Sequence, residues 1–523
     1  MQGDGFFDFR RIHPSARERR DNWTTQITPM PDGRLLLVWS STTDTEVSRS
    51  NRIWHSFSTD DGETWSPPET LVESTDTEKI LNTCCYTHTD GTVFVFFNIH
   101  TAGRIDLALQ TSTDSAESWG TRRVLDSGAA QTGFLDNPLR LRSGRIVLPV
   151  YFNRPRDGAE HWVGSVMISD DDGKTWRRGG EMNVDARRGA MEPTIAELSG
   201  GDLYCLIRTT TGFHYECRSP DGGESWSEPT QSPFAGPEAN GILRRLANGN
   251  LIFVWDRNDV SQGRQTPRYP LCVALSEDDA ATWPLQKMIE TTYGVKQLAN
   301  HGVFQTKSGR ILVPTSHFQG ADDGRTVVGD RLTGHLDMAR FDESWIRSRL
   351  DEQRWHESPA ATGGIRLDAD GCLLVSGAAN GAQTVLQSRT PLPHRCRIEC
   401  ELTDDTQSPD TYNGIYLGGK PWGEADWLYF ARSRGNSQTP AVNIRRADNE
   451  SRAVELASDI YYESTKVVIQ KDGHRVRYSD SNGITSDWVA LPDDVDAPLD
   501  WGFFSRNAGA QGRLRVRNVR VTR

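Results

Sequence analysis

The sequence predicts an all-β protein, because two interleaved repeats run through residues 1–350 and short alternating strands fill residues 351–523. In the first repeat a turn ending in glycine precedes a short apolar run, as in PDGRLLLVW at 31–39. The six repeat glycines are Gly33, Gly91, Gly144, Gly201, Gly249 and Gly309. Their spacing of about 48–60 residues is too long for a helical solenoid unit and suits one four-stranded propeller blade. The first region is therefore predicted to be a six-bladed β-propeller, closed by an amino-terminal strand, FFDFRR, that joins the last blade.

The second repeat is a turn of the form Ser-x-Asp-x-Gly-x-Thr/Ser-Trp. Full copies lie at 58–65, 169–176 and 219–226, weaker copies lie at 112–119 and 276–283, and only Asp342 and Trp345 remain in the sixth unit. The Ser and Asp side chains are expected to bond local backbone groups, while Trp covers the gap between sheets. By these turns, known as Asp-boxes, the chain resembles the sialidase superfamily of β-propellers. We interpret them as structural clasps and not as an active site.

Composition excludes several classes of function. The formal net charge is −12 and the basic residues are scattered, which argues against a nucleic-acid partner. No stretch approaches the ~20 apolar residues needed to span a membrane. The amino terminus lacks a signal-peptide core, so the chain as numbered is expected to be cytoplasmic, or secreted or periplasmic if a leader was removed. The eight cysteines lack metal-ligand spacing, and no metal or cofactor is predicted.

The repeats stop near Leu350, and we place a domain boundary at about 345–360, where SWIRSRLDEQRW is the best helix or linker candidate. Beyond it, short alternating strands predict an antiparallel β-sandwich over 351–523. This region resembles the concanavalin/laminin-G-like jelly rolls that accompany glycoside hydrolases, which implies a carbohydrate-binding or accessory domain. Trp422, Trp427 and Tyr429 are either sugar-stacking aromatics or core residues. The oligomeric state is left open.

The centre of the propeller is the expected location of a site, because the first strand of each blade lines the axis. Counting back about nine positions from each repeat glycine gives a ring of mostly polar positions at the starts of apolar strands. These positions are Thr24, Asn82, Leu135–Asp136, Glu192, Asn240 and Asn300–His301. The pattern predicts that this ring faces the substrate, although Asn and Asp also favour turns.

Blade four carries the most informative part of the ring. Glu192 opens its innermost strand and Arg208 closes the next strand, so an antiparallel hairpin brings the two side chains to one edge. The chain resembles sialidases around EP-x₁₄-R and again at Arg268. The resemblance implies that Glu192 matches the glutamate that activates a tyrosine nucleophile. It also implies that Arg208 and Arg268 belong to an arginine triad that grips the substrate carboxylate.

The chain departs from sialidases at three places. Trp23 occupies the position of the first arginine of the triad, with Arg20 as a conceivable substitute. Asn300 and His301 stand where the nucleophilic tyrosine is expected, and Tyr215 and Tyr293 are the alternatives. Asp44 and Glu46 are stand-ins for the acid/base aspartate. The candidate catalytic residues are therefore Glu192, Asp136 and His301, and the candidate substrate-binding residues are Arg208, Arg268, Asn82, Asn240, Asn300 and Tyr215.

Three functions fit these patterns. The first is an exo-acting glycoside hydrolase that acts on a terminal acidic or polar sugar of a glycan or polysaccharide. The second is a His-dependent polysaccharide lyase or glycosidase acting on a uronic-acid polymer, with His301 moving the proton and Tyr215 or His214 assisting it. The third is a propeller that binds carbohydrate without catalysis. In each case the predicted partner is a carbohydrate.

Overall fold

The computed structural model shows an all-β chain with one short helix among the residues it describes. The described residues are 6–44, 46–257, 268, 271–290, 295–319, 333–347, 355–357, 364–368, 371–376, 383–388, 392, 395–404, 411–418, 427–433, 441–446, 454–457, 464–481, 485–490, 501–507 and 513–522. Those up to Ile346 form one compact unit, and those from Arg347 onward form a second. Within these ranges no helix has the length and apolar character needed to cross a membrane.

The first unit contains six antiparallel sheets, which we number along the chain. The strand before the repeats is β1 (Phe7–His13). Sheet 1 holds β2 (Asp21–Pro29), β3 (Leu35–Thr42), β4 (Arg52–Ser58) and β5 (Glu69–Glu73). Sheet 2 holds β6 (Lys79–Thr87), β7 (Val93–Thr101), β8 (Arg104–Ser112) and β9 (Arg123–Leu125). Sheet 3 holds β10 (Thr132–Gly133), β11 (Leu139–Arg140), β12 (Ile146–Asn153), β13 (Trp162–Ser169) and β14 (Arg177–Arg178).

The remaining three sheets continue the same order. Sheet 4 holds β15 (Met191–Glu197), β16 (Leu203–Arg208), β17 (Phe213–Ser219) and β18 (Thr230–Ala235). Sheet 5 holds β19 (Gly241–Arg245), β20 (Leu251–Asp256), β21 (Leu271–Ser276) and β22 (Leu285–Glu290). Sheet 6 holds β23 (Val295–Ala299), β24 (Phe304–Gln305), β25 (Ile311–Gln319) and β26 (Thr333–Phe341), followed by helix α1 (Glu343–Arg347).

Each repeat glycine ends the turn that leads into an interior strand of its sheet, which is β3, β7, β12, β16, β20 or β25. Gly33 has φ +90° and its N–H donates to the Met30 carbonyl at 3.0 Å. A φ in this range favours glycine, because other residues meet a steric penalty there. The strand after the glycine is then fully buried, as in β3, since a sheet lies on each of its faces.

Each sheet shares a hydrophobic cluster with the next one, and the circuit returns to its start. Leu36 of sheet 1 clusters with Val95 of sheet 2, and Leu312 of sheet 6 clusters with Leu37 of sheet 1. The strand β1 completes sheet 6 by pairing antiparallel with β26, with Phe7 opposite Phe341. The predicted pairing of the amino-terminal strand with the last repeat is thereby confirmed.

The Asp-box turns are clasps that link the last two strands of sheets 1 to 5. In the second full copy, Ser169 Oγ donates to Asp171 Oδ1 at 2.9 Å, and the Gly173 and Thr175 N–H groups bond the same two side chains. Trp176 packs edge-on against Phe96 of the neighbouring sheet, with ring centroids 5.7 Å apart. These bonds confirm the clasp interpretation.

The second unit contains two seven-stranded antiparallel sheets. Sheet 7 runs in the spatial order β27, β30, β39, β32, β33, β34, β35, and sheet 8 runs β28, β29, β40, β31, β36, β37, β38. Their bounds are β27 (Trp355–Glu357), β28 (Gly364–Asp368), β29 (Gly371–Val375), β30 (Gln383–Ser388), β31 (Arg395–Asp404), β32 (Thr411–Gly418), β33 (Trp427–Ser433), β34 (Ala441–Arg446), β35 (Val454–Ala457), β36 (Ser464–Asp472), β37 (Arg475–Asp480), β38 (Val489–Ala490), β39 (Trp501–Asn507) and β40 (Arg513–Thr522). One cluster joins both sheets, with Ile415 and Phe503 from sheet 7 and Ile469 and Val516 from sheet 8. Trp422 lies outside the described residues, as do the side chains of Trp427 and Tyr429.

Candidate active site

The pair Glu192–Arg208 lies at the edge of sheet 4 where the sequence places it. Met191 is paired with Arg208 across the first hairpin, and Nη1 of Arg208 lies 2.7 Å from each carboxylate oxygen of Glu192. Both side chains are nine-tenths buried. Arg208 Nη2 also lies 3.6 Å from Glu238 Oε1, while its Nε is buried without a partner among the described residues. This is a charged pair with hydrogen-bonding capacity left over.

The backbone of the predicted ring is strained. Thr24, Asn82, Glu192 and Asn300 have φ between +44° and +54°, a left-handed region that residues other than glycine rarely occupy. Next to the first three of them the strand pairing slips, for example between Met191 and Thr194. Such strain costs of order 1–3 kcal/mol per residue and clusters at active sites and ligand clamps. The same distortion in four sheets therefore supports this ring as a functional edge.

A second ring, which the sequence analysis missed, faces the first. It consists of Ser40, Asn98, Tyr151, Arg208, Asp256 and Ser316, each seven residues after its repeat glycine. In sheet 2 the two rings are bonded directly, because Asn82 Nδ2 donates to Asn98 Oδ1 at 3.1 Å. In sheet 4 the corresponding pair is Glu192–Arg208. Counting forward from the glycines as well as backward would have found these residues.

Arg268 and Asp256 belong to the same charged group. Among the described residues, no carboxylate lies within ion-pair distance of the Arg268 guanidinium. Burial and the neighbouring Arg208 lower the pKa of Arg268 to about 10. Burial raises the pKa of Asp256 well above its ordinary value, against the attraction of Arg268 and Arg208. For Arg208, burial acts to lower the pKa, but the carboxylates of Glu192 and Glu238 outweigh it and the pKa lies above its usual range.

Tyr151 supplies a neutral hydroxyl near the charged side chains of Glu192 and Arg208. Its ring lies over Gly133, where any side chain would collide with it, and Trp162 packs against it edge-on with ring centroids 4.9 Å apart. Its hydroxyl has no hydrogen-bond partner among the described residues. Burial and the negative charge of Glu192 raise the pKa of Tyr151, so its phenol retains the proton at neutral pH. The tyrosine is thus held in place with its hydroxyl available.

Asp136 is fully engaged by protein groups. Its carboxylate forms a two-pronged pair with the Arg244 guanidinium and accepts a hydrogen bond from Thr194 Oγ1 at 2.6 Å. The Asn137 N–H donates to Oδ1 at 2.7 Å. Since sheets 3, 4 and 5 all contribute to this network, the arrangement favours a structural role for Asp136 over the predicted acid/base role.

His301 is also occupied. Its ring is completely buried and Nε2 lies 2.9 Å from the Val254 carbonyl oxygen. Burial lowers the pKa of His301 to about 4, so the ring is neutral at neutral pH. Its Nδ1 has no partner among the described residues, but it too is buried. This environment does not favour the predicted role of His301 in moving a substrate proton.

The predicted binding residues separate into two groups. Asn240 Oδ1 accepts from the Asn300 N–H at 3.0 Å, and the Asn300 carbonyl accepts from the Thr25 N–H at 3.0 Å, so these residues join sheets 5, 6 and 1. Asn82 lies in the same edge. Tyr215 packs against the hydrophobic cluster between sheets 3 and 4. Among the described residues no side-chain hydrogen bond joins Tyr215 to Glu192 or Arg208, so its substrate-binding role stays a prediction.

The residues at the three positions that differ from sialidases make other contacts. Trp23 is buried and packs against Phe318, with ring centroids 5.7 Å apart. Arg20 pairs with Asp21 at 2.9 Å. Asp44 accepts from Ser50 Oγ at 3.1 Å in an exposed loop. Tyr293 lies outside the described residues. Within the described part of the chain, no group of His, Cys, Asp or Glu side chains is arranged to hold a metal ion.

Comparison with known proteins identifies the family. The family model described as a BNR repeat-like domain matches residues 33–303, about half of the chain. The chain belongs to this family, within the sialidase superfamily. It is 32% identical to human sialidase-4 over 171 residues, which cover 26% of this chain and 34% of that protein. It is 24% identical to the sialidase of Micromonospora viridifaciens over 328 residues, covering 55% of this chain and 49% of that protein. The chain thus spans half or less of the length of these curated relatives.

Solved structures share the fold at low sequence identity. Trypanosoma rangeli sialidase is 14% identical with a TM-score of 0.50, and the match covers 98% of this chain and 92% of that one. A protein of unknown function from Dyadobacter fermentans is 18% identical with a TM-score of 0.53, covering 64% of this chain and 99% of that one. At such identities the likeness concerns the fold alone.

Proposed function

We propose that the six sheets of the first unit are the blades of a β-propeller and that the two sheets of the second unit form a β-sandwich. The closed circuit of shared hydrophobic clusters supports the propeller, and the cluster common to sheets 7 and 8 supports the sandwich. Under this arrangement both polar rings lie at one mouth of the propeller and the Asp-boxes lie at the opposite side.

We further propose that the protein is an exo-acting glycoside hydrolase that acts on a terminal acidic or polar sugar. The observation that carries this proposal is the buried Glu192–Arg208 pair on strained backbone, with Arg268 and the Tyr151 hydroxyl beside it. Strained backbone and buried charges lower the stability of the fold. Residues that combine both are therefore typical of sites that bind a ligand or react.

The roles follow from the contacts. Arg208 fixes the carboxylate of Glu192, which therefore accepts and returns a proton from a defined position. Tyr151 is the group that exchanges this proton, because its ring is held by Gly133 and Trp162 and its hydroxyl is available. Arg268 provides the positive charge that attracts an acidic substituent. Asp136, Asn240 and Asn300 hold neighbouring blades together around the reacting groups.

A turnover screen on a library of terminal glycosides, with acidic and neutral sugars at the non-reducing end, tests the proposal. We expect release of a single terminal sugar and no unsaturated product in the ultraviolet spectrum. An unsaturated product would establish the lyase alternative, and tight glycan binding without any turnover would establish the non-catalytic one. In the hydrolase, Tyr151→Phe is expected to abolish turnover, whereas Tyr215→Phe is expected to retain it.

A further inference from the structure

Sheet 5 differs from sheets 2 and 4, in which the residues of the two rings bond to each other. In sheets 2 and 4 the paired positions are joined by hydrogen bonds of 3.1 and 2.7 Å. In sheet 5 the equivalent residues are Asn240 and Asp256, whose amide and carboxyl groups are chemically complementary. Yet Asn240 Nδ2 and both carboxyl oxygens of Asp256 are buried without partners among the described residues.

An unpartnered buried carboxyl is costly, so its retention calls for a physical reason. Arg268 supplies one, because its guanidinium also has no carboxylate within ion-pair distance in the described part of the chain. An ionised Asp256 would act as an internal counter-ion for Arg268, whereas a neutral Asp256 leaves that positive charge for a ligand. The other arginines of the site are already engaged, Arg208 by Glu192 and Arg188 by Glu238 and Glu160.

We propose that Asp256 is a positioning residue that controls whether Arg268 is available to an anionic group of the substrate. This inference rests on the proposed carbohydrate site and adds to it a residue that never touches the sugar. Burial favours the neutral carboxyl, in agreement with the raised pKa of Asp256. As the pH rises and Asp256 ionises, its negative charge competes with the substrate for Arg268.

Arginine, glutamate and histidine side chains surround Asp256. Arg268 and Arg208 act to ionise it, and Glu192 and Glu238 lie around the same two arginines. His214 lies close to the Asp256 backbone across Gly236. Burial together with Arg208 and His301 lowers the pKa of His214 to about 3, so this ring stays neutral over the relevant pH range. Below the pKa of Arg268, which is about 10, Asp256 is therefore the group of this set whose raised pKa makes it ionise late as the pH rises.

Calorimetric titration of the full-length protein with N-acetylneuraminate and D-glucuronate, using D-glucose as the uncharged control, tests the inference. For the wild type we expect the affinity for at least one acid to fall about tenfold for each pH unit above the ionisation of Asp256. Asp256→Asn is expected to bind within about twofold of the wild type at any pH where Asp256 is protonated, and to lose the decline above that range, because asparagine stays neutral. Arg268→Gln is expected to lose acid binding at every pH.

Three results would overturn the inference: an affinity that does not change with pH in the wild type, the same decline in Asp256→Asn, or no binding of either acid. If Asp256→Asn does not fold, the pH dependence in the wild type compared with Arg268→Gln decides the question. Because the measurement is binding and not turnover, it stays informative if the protein proves to bind carbohydrate without hydrolysing it. A failed turnover screen with a positive titration would reject the hydrolase and retain the role of Asp256.

Discussion

Two arginine–carboxylate pairs with buried carboxylates lie in the same unit and differ in how completely they are bonded. In Asp136–Arg244 the carboxylate also accepts hydrogen bonds from Thr194 Oγ1 and the Asn137 N–H. Arg244 Nε donates to the Val303 carbonyl at 3.1 Å. In Glu192–Arg208 the arginine keeps an unpartnered Nε and the glutamate sits at φ +44°. The first pair is a completed structural joint, whereas the second has strain and unused hydrogen-bonding capacity. Burial of charge alone therefore does not distinguish structure from function; the completeness of the bonding does.

The largest effect is expected at the completed pair. Asp136→Asn leaves the Arg244 charge without its counter-ion, so we expect the free energy of unfolding to fall by about 3 kcal/mol, measured by urea denaturation. Turnover per folded molecule should stay near that of the wild type. Asp185→Asn removes the partner of Arg156 in an exposed pair and is the control, with no measurable loss of stability. Loss of activity in a stable Asp136→Asn protein would show that Asp136 acts in the reaction and is not only a structural residue.

Glu192→Gln should show the opposite behaviour. We expect kcat to fall about 100-fold or more, because the amide cannot accept the proton, while the melting temperature changes little. Glu197 lies on the same strand at the Asp-box end and pairs with Arg142 at 3.3 Å, so Glu197→Gln is the matched control. Full activity of folded Glu192→Gln on the substrate that the screen identifies would remove this residue from the site.

Arg208→Lys tests whether Arg208 fixes the orientation of the Glu192 carboxylate. Lysine keeps the charge but cannot present two N–H groups in a fixed plane, so Glu192 should lose its fixed orientation. We expect kcat/KM to fall about tenfold, measured by steady-state kinetics. Arg142→Lys provides the control at the other end of the sheets. An unchanged kcat/KM would mean that Arg208 acts only as a positive charge.

The smallest effect concerns the histidines beside the two pairs. Burial lowers the pKa of His301 to about 4 and, with Arg208, that of His214 to about 3, whereas the unfolded chain binds these protons near pH 6.5. Stability from keeping them neutral is complete above pH 6.5 and is lost as the pH falls towards 4. We expect a loss of at least about 1 kcal/mol over this window, from urea midpoints. His301→Gln should flatten the decline, and an equal slope in both proteins would contradict the assignment.

The repeat pattern was sufficient to predict the all-β class, the pairing of β1 with the last repeat and the clasp role of the Asp-boxes. It succeeded because turn glycines and Ser–Asp bonds are local and recur in register. Glu192 and Arg208 were found for the same reason, since a hairpin of known turn position fixes which residues face each other. Periodicity thus locates an edge of the sheet accurately.

The sequence could not distinguish completed from incomplete bonding at that edge. Asp136 is engaged by Arg244 from a sheet more than 100 residues away, and His301 by the Val254 carbonyl. Such contacts depend on tertiary packing and leave no local signal. The packing of Tyr215 against an apolar cluster had no sequence signal either, because one step along a strand reverses the direction of the side chain. Tyr151 and Asp256 were missed because only the first strand of each repeat was counted.

The fixed register also bears on how such a protein changes during evolution. Each sheet delivers one pair of positions to the edge, nine residues before and seven after its repeat glycine. The clasps that stabilise the sheets lie at their other end. Substitution of both residues of a single pair, such as Asn82 and Asn98, would therefore alter the chemistry presented to a ligand without disturbing a turn or a clasp. A chain built in this way can acquire new specificities one repeat at a time, while the unchanged repeats maintain its stability.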